Sequence, residues 1–219
     1  MPVDAAVLDV DGTVATCPYE FDAMRAAIAE IAARWRVDAR ELGVRGVIEQ
    51  IARIAALLGE EGAAFRREAE RAVTAIEVEA AGNASILPGA AEALAELRRS
   101  GVAVALITRN CRAAADIVLR GFEDYSALLT RDDVPLAKPD RDHVIRALAA
   151  VAAAPERAVV VGDHGYDMHA GRAAGVLLCV GVRTGASSDE SLLEAGADAV
   201  IDSIADLPRW LRERGEFVE

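Results

Sequence analysis

The sequence predicts an α/β fold in which a parallel sheet is covered by helices on both faces and a separate helical bundle is inserted after the first strand. Three observations carry this expectation. A short apolar run without helical spacing opens the chain at residues 5–10. Runs of the same kind alternate with helix-period stripes over residues 87–219. Between Val14 and Leu87 the alternation stops, and only helix-period patterns remain.

Taken in order, Ala5-Ala6-Val7-Leu8-Asp9-Val10 reads as a buried parallel strand. The inserted stretch then shows three stripes. Phe21, Met24, Ile28, Ile31 and Trp35 form one face. Val44, Val47, Ile48, Ile51, Ala55 and Leu58 form a second, and Phe65, Ala69, Val73 and Ile76 a third. Gly43, Gly59, Gly62 and Gly82-Asn83 punctuate their ends, and the stripes read as bundle core rather than as a cofactor box. Pro88 and Gly89 open a helix that Gly101 closes, with Leu94 and Leu97 on one face. Further strands are expected at 102–108, 127–130, 158–162 and 176–182, with a weaker one at 199–201. Asp140 is placed to cap a helix through Ile145, Leu148 and Val151, and Ser188 gives a plain N-cap for the helix holding Leu192 and Leu193. The expected division is a core of residues 1–14 and 87–219, with a helical insert at 15–86.

Composition narrows the function classes. At 53% hydrophobic and 27% charged the chain is that of a folded protein, and with only 4% aromatics its core must be aliphatic and Ala-rich. A net charge of -12 argues against nucleic acid or an acidic membrane as partner. An anionic substrate must therefore be drawn by a local cation cluster or a metal. The run at 176–182 is far shorter than the roughly 20 apolar residues a bilayer needs. Met1-Pro2-Val3-Asp4 lacks a basic region before an apolar stretch, so no secretory signal is expected. Cys17, Cys111 and Cys179 are scattered, which reads as reduced thiols and a cytoplasmic setting. All but one of the 24 basic residues are Arg; the exception is Lys138, the only ammonium on which lysine chemistry could rest.

Four features fall where an open α/β sheet forms its binding crevice, at the carboxyl ends of strands. The first strand ends in Asp9-Val10-Asp11-Gly12-Thr13. Side-chain alternation puts Asp9 and Asp11 on one side, where two carboxylates call for a cation or a shared proton. A hard metal such as Mg²⁺ suits such oxygens, although an Asp-Gly turn with solvated carboxylates has the same letters. A calcium loop would need another acid near position twelve and would not follow an apolar strand. The second strand ends in Thr108-Arg109-Asn110, a hydroxyl before a helix start, able to hold a phosphate oxygen or simply to cap. Lys138 precedes Pro139 and Asp140 and can neutralise a phosphate and a carboxylate together. Val159-Val160-Val161 leads into Gly162-Asp163-His164-Gly165-Tyr166-Asp167, two more acids at a strand tip.

In this order and placement the residues resemble the haloacid dehalogenase superfamily of phosphatases over nearly the whole chain. Residues 9–14 resemble its first motif, Thr108 its second, Lys138 its third, and Gly162-Asp163 with Asp167 its fourth. The insert resembles its α-helical cap, as in phosphoglycolate-phosphatase-like members, and the run from Thr130 to Pro135 leading to Lys138 resembles that branch too. The resemblance implies a Rossmann-like three-layer core and a Mg²⁺-dependent phosphatase acting on a small phosphorylated metabolite, with phosphoglycolate as the analogy. It implies that Asp9 attacks phosphorus and that Asp11 protonates the leaving alcohol and then activates water. Mg²⁺ would be held by Asp9, the backbone carbonyl of Asp11, and Asp163, with Asp167 placing a metal water or Lys138. Thr108 and Lys138 would bind the phosphoryl group. Arg109, Asn110 and, from the insert, Arg45 are candidates for contacting substrate. His164 stands where relatives often carry Ser and reads as a spacer; Cys111 is given no catalytic role.

Other readings are open. A sugar phosphomutase shares these motifs, although the insert lacks His. Dehalogenases generally lack an acid at the position of Asp11. Phosphonoacetaldehyde hydrolases need a cap lysine, and none exists between Val14 and Leu87. A noncatalytic binding module would be expected to lose Asp9, Asp11, Lys138 or Asp163, and all are present. Oligomeric state is not written in the sequence.

Overall fold

The computed structural model describes residues 3–216, so Met1 and Pro2 of the leader reading and 217–219 of the expected core lie outside the described residues. In chain order the elements begin β1 (Ala5–Asp9), β2 (Ala15–Thr16), α1 (Phe21–Arg34), α2 (Val47–Leu57) and α3 (Gly62–Ala81). They continue with β3 (Ser85–Ile86), α4 (Ala90–Arg99), β4 (Ala103–Ile107), α5 (Arg112–Val118), β5 (Ala127–Leu129) and α6 (Arg141–Ala150). The last are β6 (Ala158–Gly162), α7 (Gly165–Ala174), β7 (Leu178–Val182), α8 (Asp189–Glu194), β8 (Ala199–Ile201) and α9 (Leu207–Glu213). The chain forms two compact units, one ending at Cys17 and resuming at Ala84, the other Pro18–Asn83.

In the first unit six strands form one sheet in the order β5-β4-β1-β6-β7-β8, every neighbouring pair parallel. β1 is central, and all five of its residues are buried, as a strand covered on both faces requires. Alternation divides its side chains. Ala5 and Val7, with Ala105, Ile107 and Val160 from neighbouring strands, share a core with Val144 and Leu148 of α6 and Met168 of α7. Their alternates Ala6, Leu8, Val104, Leu106, Val159 and Val161 are equally buried and point to the other face. On that side α4 packs on β4 and α9, bringing buried Leu94, Leu97, Leu207 and Leu211. The result is the three-layer α/β arrangement. Among the described residues no helix is long and apolar enough to cross a membrane.

Register places the chemistry-bearing residues along one edge. Asp9 is level with Ile107 of β4, Leu8 with Val161 of β6, and Gly162 with Gly181 of β7. Thr108, Asp163 and Arg183 therefore all leave the sheet on the side where Asp9 sits. Asp9 also shares the parity of Ala5 and Val7, which turns it toward the layer of α6 and α7.

The second unit is a three-helix bundle. Met24, Ile28 and Ile31 of α1, Ile51 and Ile54 of α2, and Phe65, Ala69 and Val73 of α3 form its core. Phe65 is fully buried and meets Trp35 edge-on, ring centroids 6.4 Å apart. Three details differ from the sequence expectation. Phe21, expected on the α1 stripe, is 52% exposed at the first helical position, tilted against Tyr19. Gly62, expected only at a helix end, is the first residue of α3, where a Cβ would overlap the Ala55 carbonyl. β2 and β3 form a two-residue antiparallel pair, too short to leave a period in the sequence.

Truncating Phe65 to Ala leaves a cavity in the middle of this bundle and is expected to destabilise it by roughly 3–5 kcal/mol. Urea denaturation followed by far-UV circular dichroism measures it; a loss below about 1 kcal/mol would contradict the assigned core.

Candidate active site

Lys138 precedes α6, its peptide to Pro139 is cis, and its side chain reaches the tip of β1. The ammonium donates to Asp9 Oδ1 and, at 2.5 Å, to Asp167 Oδ1. Lys138 and Asp9 are 5% exposed and Asp167 is fully buried. Asp167 is held from its own helix: it is the third residue of α7, and its Oδ2 accepts the His164 N–H at 3.1 Å in a capping box. Gly162 makes room for it, since a Cβ there would overlap the Asp167 carboxyl. Thr13 Oγ1 donates to the other oxygen of Asp9 at 3.4 Å.

Asp163 completes a cluster in which carboxylate oxygens of Asp9, Asp163 and Asp167 all lie within 4.8 Å of one another. One ammonium faces three buried acids, and the charge is unbalanced. Burial pushes the Asp9 carboxyl well above its ordinary range; Lys138 pulls it down, while Asp167, Asp163 and Asp11 push it further up. Burial and Asp167 likewise raise Asp163, against the Ala186 amide and Lys138. For Lys138, burial opposes the charged form, but Asp167 and Asp9 outweigh it and hold the ammonium protonated above its usual range. An all-oxygen, acid-rich cluster of this kind fits a hard divalent cation.

Asp11 has different partners. Its Oδ2 accepts from Thr108 Oγ1 at 2.9 Å and from Asn110 Nδ2 at 2.6 Å, while the Asn110 N–H donates to Thr108 Oγ1 at 3.1 Å. Asn110, expected to touch substrate, is thus engaged with Asp11. The Arg109 guanidinium lies 4.6 Å over the Tyr166 ring, and Tyr166 is tilted against His164 at 4.4 Å between centroids. His164 caps α7 through Nδ1, which accepts from the Tyr166 N–H at 3.1 Å. Cys111 caps α5, its Sγ accepting from the Ala114 N–H at 3.4 Å. Arg45 belongs to the helical unit, where its carbonyl accepts from Arg25 at 3.4 Å.

Three contributors were given no role in the sequence reading, although Thr13 stands within its first motif. Thr13 follows the Asp-Gly pair and was legible as part of the same turn. His143, five residues after the only Lys, is fully buried; its Nδ1 accepts the Lys138 N–H at 3.2 Å and its Nε2 sits 3.0 Å from the Leu129 carbonyl, so the ring is neutral with its proton on Nε2. Burial, then the Lys138 charge, lower its pKa to about 4. The third is the turn after β7, where Thr184 Oγ1 donates to the Gly12 carbonyl at 2.6 Å and the Ala186 N–H to Asp163 Oδ2 at 2.9 Å. The strand-tip rule pointed there, but Thr-Gly-Ala carries no chemical signature.

A histidine whose folded pKa of about 4 lies below its ordinary 6.5 takes its proton first in the unfolded chain. Its contribution to stability is therefore fully present above about pH 6.5 and is lost as pH falls toward 4. Relative to His143→Asn, the wild type is expected to lose additional stability approaching roughly 3 kcal/mol between pH 7 and pH 4. Urea denaturation of both proteins across that range measures it, and parallel profiles would refute the neutral buried ring.

The chain is similar to known proteins over most of its length. The family model for haloacid dehalogenase-like hydrolases matches residues 3–175. A plasmid-encoded phosphoglycolate phosphatase of Cupriavidus necator is 32% identical over 222 residues, covering 96% of this chain and 94% of the relative. A CbbY variant from Rhodobacter sphaeroides, solved in complex with xylulose-(1,5)bisphosphate, superposes with a TM-score of 0.65 at 27% identity over 94% of this chain and 96% of that one. A putative β-phosphoglucomutase from Thermotoga maritima shares the fold, with a TM-score of 0.63 at 23% identity over 96% of this chain and 99% of that one. With Asp9, Lys138 and Asp163 meeting at the strand tips, the chain belongs to the haloacid dehalogenase-like hydrolases, among the phosphoglycolate-phosphatase-like phosphatases.

Proposed function

We propose that this phosphatase hydrolyses a small phosphate monoester through an aspartyl phosphate on Asp9, with Mg²⁺ held by Asp9, the backbone carbonyl of Asp11, and Asp163. The observation that carries the reading is the Lys138 ammonium donating to Asp9 at the tip of β1, beside the buried acids Asp163 and Asp167. Bound there, the cation supplies positive charge that lets these carboxylates ionise together and that offsets charge on the phosphoryl oxygens.

The chain's own groups do the rest. An oxygen of Asp9 attacks phosphorus, the bond from phosphorus to the alcohol oxygen breaks, and Asp11 gives that oxygen its proton. Asp11 then takes a proton from water as the water attacks the aspartyl phosphate, releasing inorganic phosphate and restoring the Asp9 carboxylate. Lys138 and the Thr108 hydroxyl hold the equatorial oxygens. In the structure Thr108 gives its single hydroxyl proton to Asp11; turned to a phosphoryl oxygen, it leaves Asp11 held by Asn110. Asp167 keeps Lys138 in place. The helical unit acts as the cap that reads the rest of the substrate, Arg45 being its candidate contact, with Arg109 and Asn110 on the core side. Phosphoglycolate is the first substrate to try, since the Cupriavidus necator relative is a phosphatase for it. The protein is assigned to the cytoplasm on its cysteine usage.

Phosphate release from an aryl phosphate is expected to require Mg²⁺ and to fall at least roughly 10³-fold in kcat for Asp9→Asn. Equal turnover in wild type and variant would remove Asp9 as nucleophile. A panel of small phosphate monoesters that includes phosphoglycolate then ranks kcat/KM. Conversion of a sugar phosphate stimulated by a bisphosphate, without net phosphate release, would instead support a mutase.

A further inference from the structure

The turn after β7 belongs to none of the sequence motifs, yet it touches two of them. Ala186 donates its N–H to Asp163 Oδ2 at 2.9 Å, and Thr184 donates its hydroxyl to the Gly12 carbonyl at 2.6 Å. Between them Gly185 lies so close to Asp163 that an added Cβ would overlap its Oδ2, Cγ and Cβ. Gly12, at φ +89, approaches from the other side: a Cβ there would come within 2.6 Å of Asp163 Oδ2 and 3.1 Å of the Gly185 Cα. Asp163, 8% exposed, is thus boxed between two glycine backbones, with Oδ2 engaged by an amide.

The turn is itself anchored. Arg183 donates from Nε and a terminal nitrogen to Asp189, at 3.0 and 2.7 Å, and from the other terminal nitrogen to Asp202, while its own N–H donates to the Ile201 carbonyl at 3.1 Å. Both turn glycines are demanded by close approach of backbone to a carboxylate. We propose that residues 184–186 are a positioning clamp that orients Asp163 and thereby sets the affinity of the site for a divalent cation. The clamp rests on the metal reading above. With Oδ2 taken by Ala186, the clamp presents Asp163 through Oδ1, and the Thr184 bond fixes the Gly12 turn that closes the other wall.

Isothermal titration of Mg²⁺ into wild type, Gly185→Ala and Thr184→Val tests this directly. Gly185→Ala is expected to weaken Mg²⁺ binding by at least roughly tenfold, as disturbed outer partners of metal ligands do, and Thr184→Val by about threefold. In EDTA, Thr184→Val should melt close to wild type and Gly185→Ala somewhat lower, since its Cβ must displace Asp163, but both should unfold in one cooperative step; turnover of an aryl phosphate should recover at saturating Mg²⁺, which a general structural defect would not allow. Wild-type affinity within about twofold in Gly185→Ala overturns the clamp. If that variant does not fold, the same result in Thr184→Val overturns it. Absence of saturable Mg²⁺ binding in wild type defeats the metal reading, and the clamp with it; binding in wild type that survives both substitutions defeats the clamp alone.

Discussion

The buried ammonium of Lys138 between Asp9 and Asp167 is the interaction around which the edge of the sheet is organised. Burying any charge is costly unless it is paired, and removing one partner of a buried pair leaves the other uncompensated. Here three acids share one lysine, so the pairing is incomplete by design of the sequence. Its supports are correspondingly redundant. The lysine backbone is pinned by His143, Asp167 is fixed by the capping box of α7, and Asp163 is boxed by glycines. Such supports keep like charges together that would otherwise move apart toward water.

The same edge separates two carboxylates only two residues apart in sequence. Asp9 faces the lysine layer; the Asp11 side chain turns to the tip of β4, where a hydroxyl and an amide hold it. One sits between a buried ammonium and buried acids; the other accepts from a hydroxyl and a side-chain amide. Environments that differ in this way let identical groups take different chemical roles, and the proposed division between nucleophile and proton carrier follows that difference.

The fold was legible because its signals are periodic. Strands buried on both faces read as apolar runs, and bundle helices as 3.6-residue stripes, so sheet and insert both appeared in the sequence. β2 and β3 did not, because two residues carry no period. The acids and the lysine were legible because few residue types can do their chemistry and because they fall at strand tips. His143 was not, since a lone His in the first turn of a helix reads equally well as surface or core. Residues 184–186 act through an amide, a hydroxyl and the absence of a Cβ, none of which marks a sequence position. The engagement of Asn110 with Asp11 likewise depends on where two strands end in space.

Lys138 is the only lysine in the chain, and it is buried. Every other basic side chain is a guanidinium, which does not share the amine's reactivity toward acyl groups. Acetylation, ubiquitin attachment and amine-directed cross-linking therefore find no exposed lysine side chain on the folded protein. The one lysine nitrogen is paired with Asp9 and Asp167 at the edge of the sheet, and a chain acylated there would lose the positive charge that offsets those acids. The folded surface thus presents no exposed lysine side chain to lysine-directed regulation, and any lysine label recovered from this protein would sit at the candidate active site.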